Sequence, residues 1–434
     1  MTISNNLRSG RIRDEWLMIS PFLFHNKNLI ISVILISLFV FSIQWSSVST
    51  AYFLIDFLKG YYPAARAIIE GDVNALAGLI EIAGFVNIPI FASLFVPLAW
   101  FGLKISKIIF LLLGLLSIAI SFIWMWRRLD FPLRVFLIPL FLGNGPLWNS
   151  IIIGNITHFV LLVMLLSISL LEARRNFLAG FLLGVAVIMK PMIFLFGIYF
   201  LWRRNFSAVA GGAACLALML AFSLIFLGVD LNLFWFNNVL IGYAGKAMGV
   251  FNMESINAFV LRLWIGPELL DDWKSVGLSP VQTFVKFILL AALVLPALFV
   301  FWRFRRADRF FLSTPQDRIE FGLVMILCIV SSPIAWTHYY LLLLVVWFLL
   351  GEQIFRSGSK LASSIFLASI AMVSFPVLNL SKAGVFLGIP EWIGSRSVQS
   401  IWLFGAVLLF MLLLFMAANL PRYGKDIEGP IPRV

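Results

Sequence analysis

Three polar side chains stand in apolar surroundings that tolerate them poorly, and each has chemistry to offer. Asp56 lies in TAYFLIDFLKGYYPAARAIIEGD, within an otherwise apolar and aromatic hexad. A carboxylate there is either an interfacial charge paired with Lys59 or Arg66, or a general base in a partly desolvated cavity. Lys190 interrupts an apolar run at Met189-Lys190-Pro191, where a lysine costs about 2.5–3.5 kcal/mol on membrane-insertion scales. It either snorkels to the lipid boundary or offers its ammonium to an anionic phosphate, a task that suits a point charge. His338, in SSPIAWTHYY, is flanked by Trp336, Tyr339 and Tyr340 and reads on its own as an aromatic-belt residue. Gly71-Asp72, Glu254-Ser255 and Arg262 read individually as solvated surface groups.

Other chemistries lack a motif. His25 and His158 are too scattered to make a metal set with His338, and neither HExxH nor a DxD cluster occurs, so a divalent-metal site is unsupported. P-loop, GxGxxG and GxSxG patterns are missing, which leaves nucleotide-driven and hydrolase readings without a handle, and no cofactor is expected. Lipid-borne substrates or transport remain.

The elements that must position these residues are set by hydropathy. Of 434 residues, 62% are apolar and only 12% charged, against roughly 25% charged in soluble domains. Mean hydropathy is +1.02. With 44 Phe and 15 Trp, the chain is an integral membrane protein that crosses the bilayer repeatedly. The net charge of +12 comes from short basic clusters between apolar runs, which topology explains better than nucleic-acid binding. Cys215 and Cys328 fall inside apolar runs and read as small core residues.

At roughly 20 residues per span, about twelve runs qualify, some short or split: 29–48, 105–126, 132–147, 152–171, 177–189, 191–202, 206–228, 280–302, 320–337, 339–355, 361–380 and 398–418. The fold expected is therefore an all-α polytopic bundle forming one membrane domain over 1–434. The clusters at Arg8, Arg11, Arg13, Arg127-Arg128, Arg174-Arg175, Arg203-Arg204, Arg303 to Arg309, Arg356 and Lys360 belong on the cytoplasmic side. Segments 1–28 and 419–434 then lie inside, and the long segments 49–104 and 229–279 face outward. In 85–103, Pro89 and Pro97 break the apolar stretch into helices expected at the interface. Two Arg pairs bracket 177–202, a stretch long enough for a single span, so a hairpin of two short helices must turn at Met189-Lys190-Pro191, where proline opposes helical geometry in the preceding residue.

On these residues the chain resembles the GT-C type membrane enzymes of glycosyltransferase family 87. The likeness is strongest from Ile153-Gly154-Asn155 through AGFLLGVAVIMKPMIFLFGIYFLWRRNF, which is similar to the family's Gly-Gln-x-Asn segment and its Ala-Gly-x-x-x-Gly…Lys-Pro hairpin. Asn155 and Thr157 stand where the family commonly shows Gln and Asn. Further matches follow in order: Asp56 with YYPAARAIIEG (including Tyr62 and Arg66), Asn252-x-x-Ser255 with Arg262, and Ser332-Pro333…Trp336-Thr337-His338-Tyr339.

The resemblance implies a polyprenyl-phosphate-linked sugar donor, mannose being the best-known sugar, and a lipid or glycan acceptor at the outer face of the bacterial cytoplasmic membrane. It implies Asp56 as the catalytic carboxylate, Lys190 as a ligand of the lipid phosphate, and Arg262 and His338 as pocket residues. Tyr62, Arg66, Asn155, Ser255 and Trp336 join them as expected substrate contacts. A direct displacement would invert the anomeric carbon, with one carboxylate sufficing where glycoside hydrolysis usually takes a pair. The competing class is a lipid-linked sugar flippase or secondary transporter, but the expected repeats are missing and the interrupted hairpin has no evident partner in the second half. A polymerase or ligase using a diphosphate donor is a third reading.

Overall fold

Backbone amides in lipid have no water to bond, so an apolar run satisfies them by coiling into a helix. Each expected run that falls within the described residues is helical over most of its length. A computed structural model describes residues 53–420 apart from 83, 305–311, 313 and 381–387, together with Leu35, Phe39 and Ser42. The expected first span and C-terminal tail therefore lie almost wholly outside the described residues, as do Arg8, Arg11, Arg13, His25, Arg305, Arg306 and Arg309.

The principal helices are α1 (Tyr62–Glu70), α2 (Val73–Glu81), α3 (Gly102–Trp126), α4 (Phe131–Leu142), α5 (Gly145–Ile152), α6 (Thr157–Glu172), α7 (Asn176–Met189), α8 (Leu195–Trp202) and α9 (Phe206–Leu227). They continue with α10 (Ile256–Trp264), α11 (Pro280–Arg303), α12 (Pro315–Val330), α13 (Leu343–Arg356), α14 (Lys360–Val373) and α15 (Ile401–Asn419). Two residues of β1 (Lys246–Ala247) pair antiparallel with β2 (Val276–Gly277). The chain is an all-α polytopic membrane protein.

Among the described residues five stretches are long and apolar enough to cross a membrane: α3, α9, α11, Thr337–Arg356 and Glu391–Asn419. A sixth arises if α4 and α5, bent by 46°, count as one. Other expected spans are shorter apolar helices, α6, α7, α14 and Pro191–Trp202 among them, so the expected count of about twelve full spans is not established. Hydropathy marks an apolar run, but its helical length is cut by turns that hydropathy does not see, such as those at Gly143-Asn144 and Gly154-Asn155.

The hairpin at Lys190 is present. α7 stops at Met189, Lys190 is extended (φ −143°, ψ 95°) and Pro191 opens a 3-10 turn leading into α8. Gly180 of α7 lies against Ala208 of α9, and Gly184 lies farther along against Cys215; a Cβ on Gly180 would fall 1.8 Å from the Ala208 carbonyl oxygen. Small residues let these backbones touch. Because the paired positions advance together, α7 and α9 run parallel, and α8 must return between them. Arg174-Arg175 and Arg203-Arg204 consequently share one end of the bundle.

Other basic residues gather at that end. Arg203 pairs with Asp317 at 2.9 Å and donates to the Phe304 carbonyl at 3.0 Å, while Arg303 donates to the Leu420 carbonyl at 2.7 Å. Arg128 meets Glu172 at 3.9 Å, and Arg356 meets Asp130. Lys190 lies one helix length away, about 21 Å for the fourteen residues of α7 at 1.5 Å each.

Candidate active site

At the end of the bundle opposite the arginine pairs, several elements meet around a cavity of about 680 Å³. Asp56 precedes a single π-helical turn, Phe57–Tyr61, the kind of helical irregularity often found at functional sites. Two backbone hydrogen bonds dock this segment onto the end of α5: Leu54 N donates to the Ile152 carbonyl at 2.6 Å and Asp56 N to that of Ile153 at 2.8 Å. Gly154 makes the approach possible. Its φ is +70°, and a Cβ there would lie 3.0 Å from Leu54 Cα and 3.2 Å from Phe57 Cβ. A residue with a side chain would both strain the turn and push the Asp56 segment away.

The turn at Gly154 delivers Asn155 into the centre of the site. Asn155 Nδ2 donates to Asp56 Oδ2 at 2.6 Å, and Asn155 Oδ1 accepts from Lys190 Nζ at 3.1 Å. The Thr157 hydroxyl donates to the same Oδ1 at 2.9 Å, which fixes the amide's orientation. Lys190 Nζ is also 3.5 Å from His338 Nε2 and 4.2 Å from the centre of the Tyr339 ring. An ammonium donor requires Nε2 to be the unprotonated nitrogen of that imidazole. Asp56, Asn155, Lys190 and His338 thus form one continuous chain, although 282 positions separate the numbers 56 and 338.

Lys190 is 4% exposed and His338 3%. The lysine does not snorkel, and the histidine is not on the lipid boundary. Among the described residues no carboxylate makes an ion pair with Lys190; Asn155 stands between it and Asp56. Burial pushes the Asp56 carboxyl above its ordinary range, while the Asn155 hydrogen bond and the Lys190 charge oppose that rise. Asp56 is also the sole carboxylate among the described residues that line the cavity. Among the described residues neither Lys59 nor Arg66 makes an ion pair with Asp56, and Arg66 pairs instead with Glu70 on the surface of α1.

Trp336 lines the cavity with Asp56, Asn155, Lys190 and His338. Tyr62, Arg66, Ser255 and Arg262 do not. Tyr62 packs on Phe57, and Ser255 caps α10 by accepting from Ala258 N at 3.1 Å. Arg262 is fully buried and bonds Met253 O at 2.7 Å, Ser400 Oγ at 2.8 Å and the Glu254 carboxylate at 3.4 Å. The solvated-surface reading of Glu254, Ser255 and Arg262 is therefore corrected: all three are buried, Glu254 and Arg262 pair with each other, and the Ser255 hydroxyl donates to the Pro333 carbonyl at 3.1 Å. Their work is to hold a clamp: Glu254 N donates to the Ala335 carbonyl at 2.6 Å, Thr337 N to that of Asn252 at 2.9 Å, and Met253 bridges Trp336.

Sequence reasoning missed several lining residues, including Tyr61, Asn87, Asn149 and Trp273, and it matched Asn252 to the family without giving it a role. Asn87 had the clearest signal, an amide in an apolar stretch; its Nδ2 donates to the Met189 carbonyl at 2.9 Å and steadies the turn carrying Lys190. Among the described residues no three His, Cys, Asp or Glu side chains converge to hold a metal.

A model of glycosyltransferase family 87 matches residues 85–314, more than half of the chain. The chain belongs to glycosyltransferase family 87. The family 87 match contains Asn155 and Lys190, whereas Asp56 and His338 flank it and reach the site through the fold. Three relatives are polyprenol-phosphate-mannose-dependent mannosyltransferases. A phosphatidylinositol mannoside α-(1-2)-mannosyltransferase of Mycobacterium tuberculosis is 21% identical over 78% of both chains. One of the same description from Mycolicibacterium smegmatis is 24% identical over 78% of this chain and 79% of its own. A phosphatidylinositol pentamannoside enzyme of the latter organism is 26% identical over 64% of this chain and 60% of its own. No solved structure matches. As a member of family 87, the chain is a multi-pass membrane glycosyltransferase.

Proposed function

We propose that this glycosyltransferase moves a mannosyl group from a polyprenyl-phosphate donor to a lipid or glycan acceptor at the outer face of the bacterial cytoplasmic membrane, with inversion. The observation that carries the reading is the chain Asp56–Asn155–Lys190–His338 in a cavity where Asp56 is the one lining carboxylate among the described residues. The donor named for the relatives supports it. The outward orientation is supported by the distance of the site from the arginine-rich end of the bundle.

Asp56 accepts the proton of an acceptor hydroxyl as its oxygen bonds the anomeric carbon. The bond from that carbon to the phosphate oxygen breaks, and its electron pair leaves with the polyprenyl phosphate. Lys190 meets the growing negative charge with an ammonium already desolvated and aimed, so little reorganisation opposes the step. Asn155 keeps the base and the cation apart and holds each in place. Among the described residues no second acid lines the cavity to serve as nucleophile or partner, which favours a single displacement, and that inverts the centre.

Asp56→Asn in nanodiscs tests this, with transfer measured from polyprenyl-phosphate-mannose to membrane extracts. General-base loss lowers the rate roughly 10²–10⁴-fold, with donor binding retained. Equal activity in both proteins removes Asp56 from the mechanism. Absence of transfer by the wild type with any lipid-linked sugar returns the chain to the transporter reading.

A further inference from the structure

Resting on the transferase reading above, we propose a second subsite in the same cavity, in which Trp273, Trp336, Asn252 and Asn149 receive a neutral pyranose, the terminal sugar of the acceptor. Trp273 and Trp336 lie stacked, with centroids 5.6 Å apart and planes 29° apart, and Phe251 meets Trp273 edge-on at 6.4 Å. All three line the cavity. Such a wall offers broad apolar area with few rotatable bonds to order, which matches the C–H face of a sugar ring.

The polar complement is present beside it. Asn252 is adjacent to Phe251, and its backbone carbonyl accepts from Thr337 N, next to Trp336. Asn149 reaches the cavity from α5. Both side-chain amides line the cavity, and neither Oδ1 has a hydrogen-bond partner in the protein. An orphaned buried acceptor is unfavourable, and a ligand hydroxyl relieves it. Side-chain amides donate and accept, as do the hydroxyls of a sugar.

Charge excludes other ligands from this wall. Among the described residues the charged side chains lining the cavity are Asp56, Lys59 and Lys190, and Asp56 and Lys190 belong to the transfer centre. A phosphate would find no cation in the indole wall, so the occupant is uncharged. Burial assigns it to the acceptor. Trp273 is 50% exposed, against 4% for Lys190 and 3% for His338. Trp273 stands toward the opening with the half-buried Trp336 stacked against it, and the Lys190–His338 end of the charged chain lies at the floor. The donor sugar is attached to the phosphate held at the floor, and the sugar that reaches Asp56 from the opening is the acceptor's.

The test uses wild type, Trp273→Ala, Trp273→Phe and Asn252→Ala in nanodiscs, with octyl α-D-mannopyranoside as the probe. Its binding is measured by isothermal titration, and its KM as acceptor with polyprenyl-phosphate-mannose as donor. Trp273→Ala should weaken binding and raise the acceptor KM roughly tenfold, leaving kcat and the donor KM within about twofold, and Trp273→Phe should recover most of the loss. Asn252→Ala should also raise the acceptor KM. An unchanged acceptor KM with normal transfer overturns the subsite while leaving the transfer reading intact. A rise confined to the donor KM overturns its assignment to the acceptor. Trp273-dependent binding without transfer upholds the subsite and sinks the transferase reading, and wild type that binds no glycoside overturns the subsite.

Discussion

Asn155 is the residue on which the proposed chemistry turns, because its two amide ends hold opposite charges. Its Nδ2 reaches Asp56 and its Oδ1 reaches Lys190. Lys190→Met keeps the apolar stem and removes the ammonium; donor KM should rise roughly 10–100-fold, the range for a hydrogen bond to a charged group, as read from steady-state transfer. The base has a pH signature of its own. Burial raises the Asp56 carboxyl above its ordinary value of 3.8, and only the carboxylate accepts a proton. As pH falls through the raised value the base is lost, so the acid limb of kcat/KM should lie above that ordinary value and vanish in Asp56→Asn. A limb at or below the ordinary value would show that the titrating group is not this carboxyl. Asp56, Lys190 and His338 were legible in the sequence as polar residues in apolar settings. That they are linked through Asn155 was not, since the link is made by a turn and not by any spacing.

At the scale of elements, two devices place these residues. Gly154 combines a left-handed φ with contact to Leu54 and Phe57, and Gly154→Ala should cost about 1–2 kcal/mol or more and displace Asn155. Its transfer rate should therefore fall by more than its melting temperature suggests. The second device is the clamp of 252–254 on 335–337, fastened by Arg262 beneath it. Breaking a buried pair from one side costs about 3–5 kcal/mol. Arg262→Met should therefore lower the melting temperature in detergent more than Glu254→Gln/Arg262→Met does, because the double variant strands no charge. If both melt alike, Arg262 is not stabilised by Glu254. The matched Asn252-x-x-Ser255 and Arg262 positions were legible as a group of polar residues. Their burial was not, because a local sequence carries no record of the partner that satisfies it.

For the whole molecule, the parallel course of α7 and α9 puts Arg204 at the end opposite Lys190, and both native cysteines are buried. In intact cells, a membrane-impermeant maleimide should label Asp72→Cys and spare Arg204→Cys until the membrane is opened; the reverse pattern would invert the proposed orientation. The sequence by itself determined the lipid setting, the helical class, the break at Lys190 and the family, because hydropathy, proline geometry and motif order are local properties of the chain. Only the tertiary structure decided which of the described apolar runs form helices long enough to cross a membrane and which stop short at turns. It also decided which of the expected polar residues share a cavity, since Asp56, Asn155, Lys190 and His338 meet while Arg262 is turned inward to Glu254. Convergence of residues so far apart depends on how helices pack and where their ends dock, and these are relations between segments that no single segment encodes.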